Sequence, residues 1–182
     1  AHTGTTPIEC WYPLGVVGSS ALTTGTLVIG TMYAMPFVAP GDRASPTLDR
    51  LAVEVTTLAV LGNARLGIYS PTSATNLYPS ALVIDAGAVA TTAAGMVAAT
   101  ISQALTPGAL YYAVILVDVA PIVRAGNNQL HTILGFPSTG GTTPYWGITV
   151  AQAYGALPST FTAGGAAQTA APRPVLFGRY SA

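Results

Sequence analysis

Charge is what this chain has least of. Only 7% of its 182 residues are Asp, Glu, Lys or Arg, against about 25% in ordinary globular chains. Lysine is absent, and six Arg balance six acids to a formal net charge of zero. A chain so built cannot raise the basic field that phosphate binding needs, which excludes nucleic acid as a partner. It also lacks the clustered cations that hold a protein to anionic lipid. Cys10 is the single cysteine, so there is neither a disulfide framework nor a thiolate metal cluster, and a buried inert thiol is expected. His2 and His131 are the only histidines. They lie far apart, without the spacing of a zinc site, so no metal is expected. No G-x-S-x-G elbow and no G-K-[ST] phosphate loop occurs, and no cofactor is implied. Long hydrophobic runs are missing too. The longest, 109–117, stops at Asp118 and Pro121, about half of the roughly 20 residues a membrane helix needs. No basic-then-apolar segment opens the chain, so no signal peptide is expected.

What is present is apolar and neutral. Hydrophobic residues make up 51% of the chain, and the mean hydropathy of +0.53 excludes disorder and predicts a large core. Thr, Ser and Gly must form much of the wetted surface. With little repulsion between copies, such a protein associates unless its contacts are already committed. An oligomer or assembly subunit is therefore expected.

Periodicity predicts strands throughout. Residues 1–25 have no clean period and read as an irregular N-terminal arm or linker, packed by Trp11 and Tyr12. Residues 26–182 read as one β domain. The run 26–39 is rich in β-branched and aromatic residues and ends at Pro40-Gly41, a turn pair. In 48–60, Leu51, Val53 and Val55 alternate with Ala52, Glu54 and Thr56, which puts one face in the core. Leu61-Gly62-Asn63 reads as a tight reversal into a returning strand 64–70, a hairpin signature. Further strands are expected at 81–90, 95–105, 109–120, 129–136, 148–155 and 173–180, with 109–120 central and buried. Tyr111 and Tyr112 fall on opposite faces of it, so at least one hydroxyl needs a partner. The Ala-rich stretch 86–99 invites a helix, but Gly87, Gly95 and its Thr and Val residues oppose one. Many short strands separated by Gly/Pro turns predict an all-β fold, an antiparallel β-sandwich or jelly roll.

Several stretches resemble a known family. ARLGIYS (64–70), a polar loop, and YPSALVIDAG (78–87) follow a pattern found in β-sandwich domains of bacteriophage fibre and spike proteins. TLVIGTMYAMPFVAPG and LDRLAVEVTT are similar to the opening of those domains, PGALYYAVIL to a later strand, and ALPSTF (156–161) with APRPVLF (171–177) to their ending. The likeness spans roughly 26–180. It implies a virion structural protein on the particle surface (tail fibre, head fibre, spike or capsid decoration). It further implies a homotrimer whose partners are identical subunits, other virion proteins and bacterial surface polysaccharide. Within the motif, Arg65 is expected to brace the sandwich by hydrogen bonds.

Composition supplies no obvious chemistry. The acids are Glu9, Asp42, Asp49, Glu54, Asp85 and Asp118. A depolymerase would need two of them facing each other about 5–10 Å apart. Glu54 and Asp118 are the pair that strand positions could bring together, whereas Asp42-Arg43 and Asp49-Arg50 read as local ion pairs. Surface or turn roles are expected for all six, and the protein is read as non-enzymatic. A dedicated receptor-binding, carbohydrate-binding module is the alternative. Sugar rings stack on exposed aromatics while amides hold their hydroxyls, and the residues of the right type in loops are Tyr78, Asn127, Asn128, Tyr145 and Trp146. The competing reading has Trp146 capping the core beneath its loop and Trp11-Tyr12 forming a subunit contact.

Overall fold

The computed structural model describes residues 10–15, 22–42, 44–126, 133–135, 138 and 144–181. Twelve strands form in chain order: β1 Tyr12–Leu14, β2 Thr23–Thr26, β3 Thr31–Val38, β4 Thr47–Thr57, β5 Asn63–Pro71, β6 Pro79–Ala90, β7 Gly95–Ala104, β8 Leu110–Val117, β9 Ile122–Ala125, β10 Gly147–Ala151, β11 Ala166–Gln168 and β12 Leu176–Tyr180. They build two antiparallel sheets packed face to face, an all-β sandwich. The first runs β1-β12-β4-β9-β2 with β7 on the other side of β4, and the second runs β11-β10-β3-β8-β5-β6. Residues 1–25, expected to be an irregular arm, contain β1 and most of β2.

Alternation places the core as expected. Leu51, Val53 and Val55 of β4 are at most 1% exposed. Leu51 and Val53 meet Tyr33, Phe37, Leu66, Ile68 and Ile115 of the second sheet in the main cluster between the sheets. The intervening Ala52 packs outward with Val175, Phe177 and Trp11. The second sheet is covered on its outer face as well. There Met32, Ala34, Tyr69, Tyr112, Val114 and Leu116 are buried beneath Leu157 and Phe161, residues of the segment 152–165 that follows β10. This double cover explains why β8 reads as one apolar run, since a strand buried on both faces has no polar face to show. Both of its tyrosine hydroxyls find partners. Tyr112 donates to the Leu77 carbonyl, and Tyr111 accepts from the Thr106 N–H at 3.0 Å.

Several boundaries differ from those read in the sequence. The run 26–39 is not one strand. Gly30 adopts a φ of +73°, a left-handed conformation that breaks the run between β2 in one sheet and β3 in the other. The expected hairpin across Leu61-Gly62-Asn63 is likewise a crossing, because β4 and β5 lie in different sheets. Short-range turn chemistry reports a reversal but not which sheet receives the chain. Here the crossing is fixed by long-range backbone bonds. The Ala59 N–H donates to the Thr91 carbonyl at 3.0 Å, and the Thr91 N–H donates to the Gly62 carbonyl at 2.8 Å. Two of the places where the chain changes sheets, 58–62 and 91–94, are thus tied to each other. Strand 148–155 ends at Ala151, strand 173–180 begins only at Leu176, and β9 and β11 had no strand signal of their own. Most of the expected strand 129–136 lies outside the described residues, and 133–135 are not strand.

Candidate functional site

The densest group of polar interactions is built from the motif residues of β5 and β6. Leu66 and Ile68 face the core, so Arg65, Gly67 and Tyr69 face outward. On the neighbouring strand Asp85 stands opposite Gly67, where no side chain competes for the space. Arg65 therefore reaches diagonally along the sheet. Its Nε donates to both Asp85 oxygens at 3.0 and 2.9 Å, and its Nη2 donates to Oδ2 at 2.7 Å. The carboxylate also accepts the Gly87 N–H at 3.0 Å and the Leu157 N–H at 3.1 Å. Tyr69, fully buried, donates to the Pro158 carbonyl at 2.6 Å. Leu157 closes the device from above, for a Cβ on Gly67 would stand 2.3 Å from its Cδ1. Beside it, segment 159–161 runs along the outer edge of β6. The Leu82 N–H donates to the Ser159 carbonyl at 2.9 Å, and the Phe161 N–H to the Ser80 carbonyl at 2.7 Å. Arg65, Gly67, Tyr69 and Asp85 together latch the 157–161 segment over the second sheet.

Asp49, Glu54 and Asp118 are held in the same structural manner. Asp49 pairs with Arg179, Oδ2 to Nη2 at 2.7 Å, rather than with its neighbour Arg50, which donates to the Asp49 backbone carbonyl at 2.9 Å. Glu54 accepts the Arg124 Nε at 2.9 Å. Asp118 caps the start of β5, accepting the Asn63 N–H at 2.6 Å and its side-chain amide at 2.9 Å. Glu54 and Asp118, the pair that strand positions could have brought together, are apart: Glu54 lies in β4 of the first sheet, whereas Asp118 follows the end of β8 in the second and is turned to Asn63. Arg43 and Glu9 lie outside the described residues. Comparison with protein-family models, with curated proteins and with solved structures finds no match for the chain.

The loop aromatics are anchored within the fold. Tyr78 donates its hydroxyl to the Thr162 carbonyl at 2.7 Å and accepts the Gly165 N–H at 2.8 Å. Its ring meets Phe161 edge-on, 5.7 Å between centroids. Trp146 is 7% exposed, part of the main core as the competing reading had it, with the Arg173 guanidinium 4.5 Å from its ring centre. Tyr145 beside it is half-buried, its N–H donating to the Gly135 carbonyl at 2.9 Å. Asn127 and Asn128 lie outside the described residues. No sequence signal announced Arg173 as the cover of Trp146, twenty-seven positions away. Trp11 packs on Ala52 and Phe177, while Tyr12 meets Tyr180 edge-on at 6.0 Å and lines, with Leu14, Phe37, Val38 and Pro40, a groove of about 420 Å³. Cys10, expected to be buried, is half-buried. Among the described residues no group of His, Cys, Asp and Glu could hold a metal.

These contacts fix a pH profile. The Arg179 bond holds Asp49 below its ordinary range despite some burial, and the Arg124 bond does the same for Glu54. At Asp85 and Asp118 burial pushes upward, but the hydrogen bonds from Arg65, Gly87 and Leu157 at the first, and chiefly from Asn63 at the second, outweigh it. All four carboxyls thus bind protons less readily when folded than when unfolded. Their stabilisation is complete above about pH 5 and is lost progressively as pH falls below it. The tyrosines work in the opposite sense. Burial, with the Asp85 charge second, raises Tyr69 to about 12, and burial also raises Tyr112 and Tyr33. An unfolded tyrosine ionises near pH 10, so stability is present below that value and is lost as pH climbs toward 12. Urea midpoints measured from pH 3 to pH 12 should form a plateau with a fall at each end. A midpoint that is flat above pH 10 would refute the tyrosine part.

Proposed function

We propose that this chain is a non-enzymatic structural protein of a bacteriophage particle. It is a fibre, spike or capsid-decoration subunit on the virion surface, partnered by identical copies and other virion proteins. One observation carries the reading. Three of the stretches that resemble phage fibre and spike domains, 64–70, 78–87 and 156–161, lie far apart in the chain yet supply the latch between them: Arg65, Gly67 and Tyr69 from the first, Asp85 from the second, Leu157 and Pro158 from the third. A motif whose scattered parts make one structural device is what a fold-bearing resemblance would leave. Further support comes from the acids, four of which are engaged in cross-strand or capping bonds, and from a surface with little charge to keep copies apart.

The test is the mass of the full chain by light scattering at micromolar concentration, together with reducing-sugar release from capsular polysaccharide and lipopolysaccharide. A defined oligomer and no sugar release are expected. A monomer, or hydrolysis, would overturn the proposal.

A further inference from the structure

Residues 152–165 join β10 to β11, and the ladder between those strands brings the two ends of the segment together. Inside it the Thr162 hydroxyl donates to Gln152 Oε1 at 2.5 Å, which closes the neck a second time. Tyr78 holds the same neck from the far side, through the Thr162 carbonyl and the Gly165 N–H. A segment of about 6–16 residues whose ends meet in this way is an Ω-loop, compact and closed on itself.

Between the neck residues, 153–161 are lightly fastened. Leu157 and Phe161 are buried, and the others are half-buried or exposed. The bonds to the sheet run from Leu157 to the Asp85 carboxylate, from Pro158 to the Tyr69 hydroxyl, and from Ser159 and Phe161 to the edge of β6. None of them joins two strands of the sandwich. Beneath, β3, β8 and β5 each keep a paired strand on both sides. The floor of Met32, Tyr69, Tyr112, Val114 and Leu116 therefore stands without its cover. Segments with few buried apolar contacts and bonds at an exposed edge open at less than the global free energy.

We infer that 153–161 is a lid that opens as one body about the Gln152–Thr162 neck while both sheets stay folded. Opening withdraws Leu157 and Phe161 together, because the bonds that hold them are consecutive along one short segment. It uncovers an apolar strip across three strands, frees the edge of β6 at Ser80 and Leu82, and leaves the Tyr69 hydroxyl without its carbonyl. An apolar strip of that kind is an association surface. The closed lid thus keeps the outer face of the second sheet from other chains.

In the unaltered protein, hydrogen exchange should give the Leu157, Phe161 and Leu82 amides one common opening constant, about tenfold or more above those of β4 and β8. Three separate constants, or constants equal to those of the ladders, overturn the lid. Thiol alkylation reads the same opening from beneath, with Cys10→Ser as background. Val114 and Val53 are both 0% exposed. Val114 packs with Leu157 and Phe161 under the lid, whereas Val53 lies between the sheets. Val114→Cys should react with iodoacetamide about tenfold or more faster than Val53→Cys, as read by mass at each position. Ala81 and Thr160 form a bridge flanked by the Leu82–Ser159 and Phe161–Ser80 bonds, the close spacing that suits a disulfide. Joining them through Ala81→Cys and Thr160→Cys should slow Val114→Cys to the Val53→Cys rate. Equal rates without the disulfide, or a difference that survives it, overturn the inference, the second because Leu157 would then fray alone.

Discussion

Asp85→Ala is expected to destabilise the chain by about 3 kcal/mol, more than any other single charge removal among the described residues. The carboxylate gathers three bonds from Arg65 and one each from the Gly87 and Leu157 N–H groups. Its loss strands the guanidinium and two amides at once. Because the two side chains remain 25% and 19% exposed, water recovers part of the loss, and the figure stays at the lower end of the about 3–5 kcal/mol that breaking a fully buried pair costs. Arg65→Ala should cost less, about 1–2 kcal/mol, since Asp85 keeps both backbone donors and can be hydrated on its open side. The order Asp85 above Arg65 is the distinguishing result. Two surface charges in a simple ion pair would lose similar, small amounts. Thermal melts at equal protein concentration should show Asp85→Ala about 10 °C below wild type. Equal shifts for the two variants would mean that the Leu157 bond contributes nothing, and an Arg65→Ala melt within error of wild type would remove the brace altogether.

How far the sequence announces this device depends on the range of each contact. Alternation in β4 and β5 assigns Leu51, Val53, Leu66 and Ile68 to the core, because strand period is a local property of the chain. The unbroken apolar run of β8 likewise marks a strand covered on both sides. The motif residues Arg65 and Asp85 stand out as polar groups within apolar strands. Asp85's further partner, Leu157, does not, because a backbone N–H carries no sequence signature. The same limit accounts for the crossings. Gly30 and Leu61-Gly62 announce turns, but the choice between returning to the same sheet and passing to the other is made by contacts such as Ala59 with Thr91, thirty-two positions apart. Trp146 was equally ambiguous. A Trp in a Gly/Thr/Pro loop is a stacking platform or a plug, and what decides is Arg173 arriving from a distant segment. Local pattern therefore reads the layers of this sandwich well and its covers poorly.

Gly67→Val should be as damaging as Asp85→Ala, by a different route. A Cβ at Gly67 would lie 2.3 Å from Leu157 Cδ1, 2.7 Å from the Ile84 carbonyl oxygen and 3.5 Å from Val114 Cγ2. The end of the leucine can swing aside. The carbonyl can retreat only if β6 moves, and β6 is held to β5 along its length. Overpacking of this kind costs about 1–3 kcal/mol, and a β-branched side chain against backbone belongs at the upper end, about 3 kcal/mol, with Gly67→Ala at about half of that. Gly108→Ala is the control. Nothing stands within 4 Å of its Cβ, and its φ of +72° limits the loss to the left-handed strain of about 1 kcal/mol. Hydrogen exchange separates the mechanisms. In both Gly67→Val and Asp85→Ala the Leu157 and Phe161 amides should lose protection before those of β4 and β8, because each change lifts the same cover. The double variant should then lose less than the sum of the two, since a segment already released cannot be released again. Strict additivity would mean that Gly67 and Asp85 act on separate parts of the sandwich, and that the latch is not one unit.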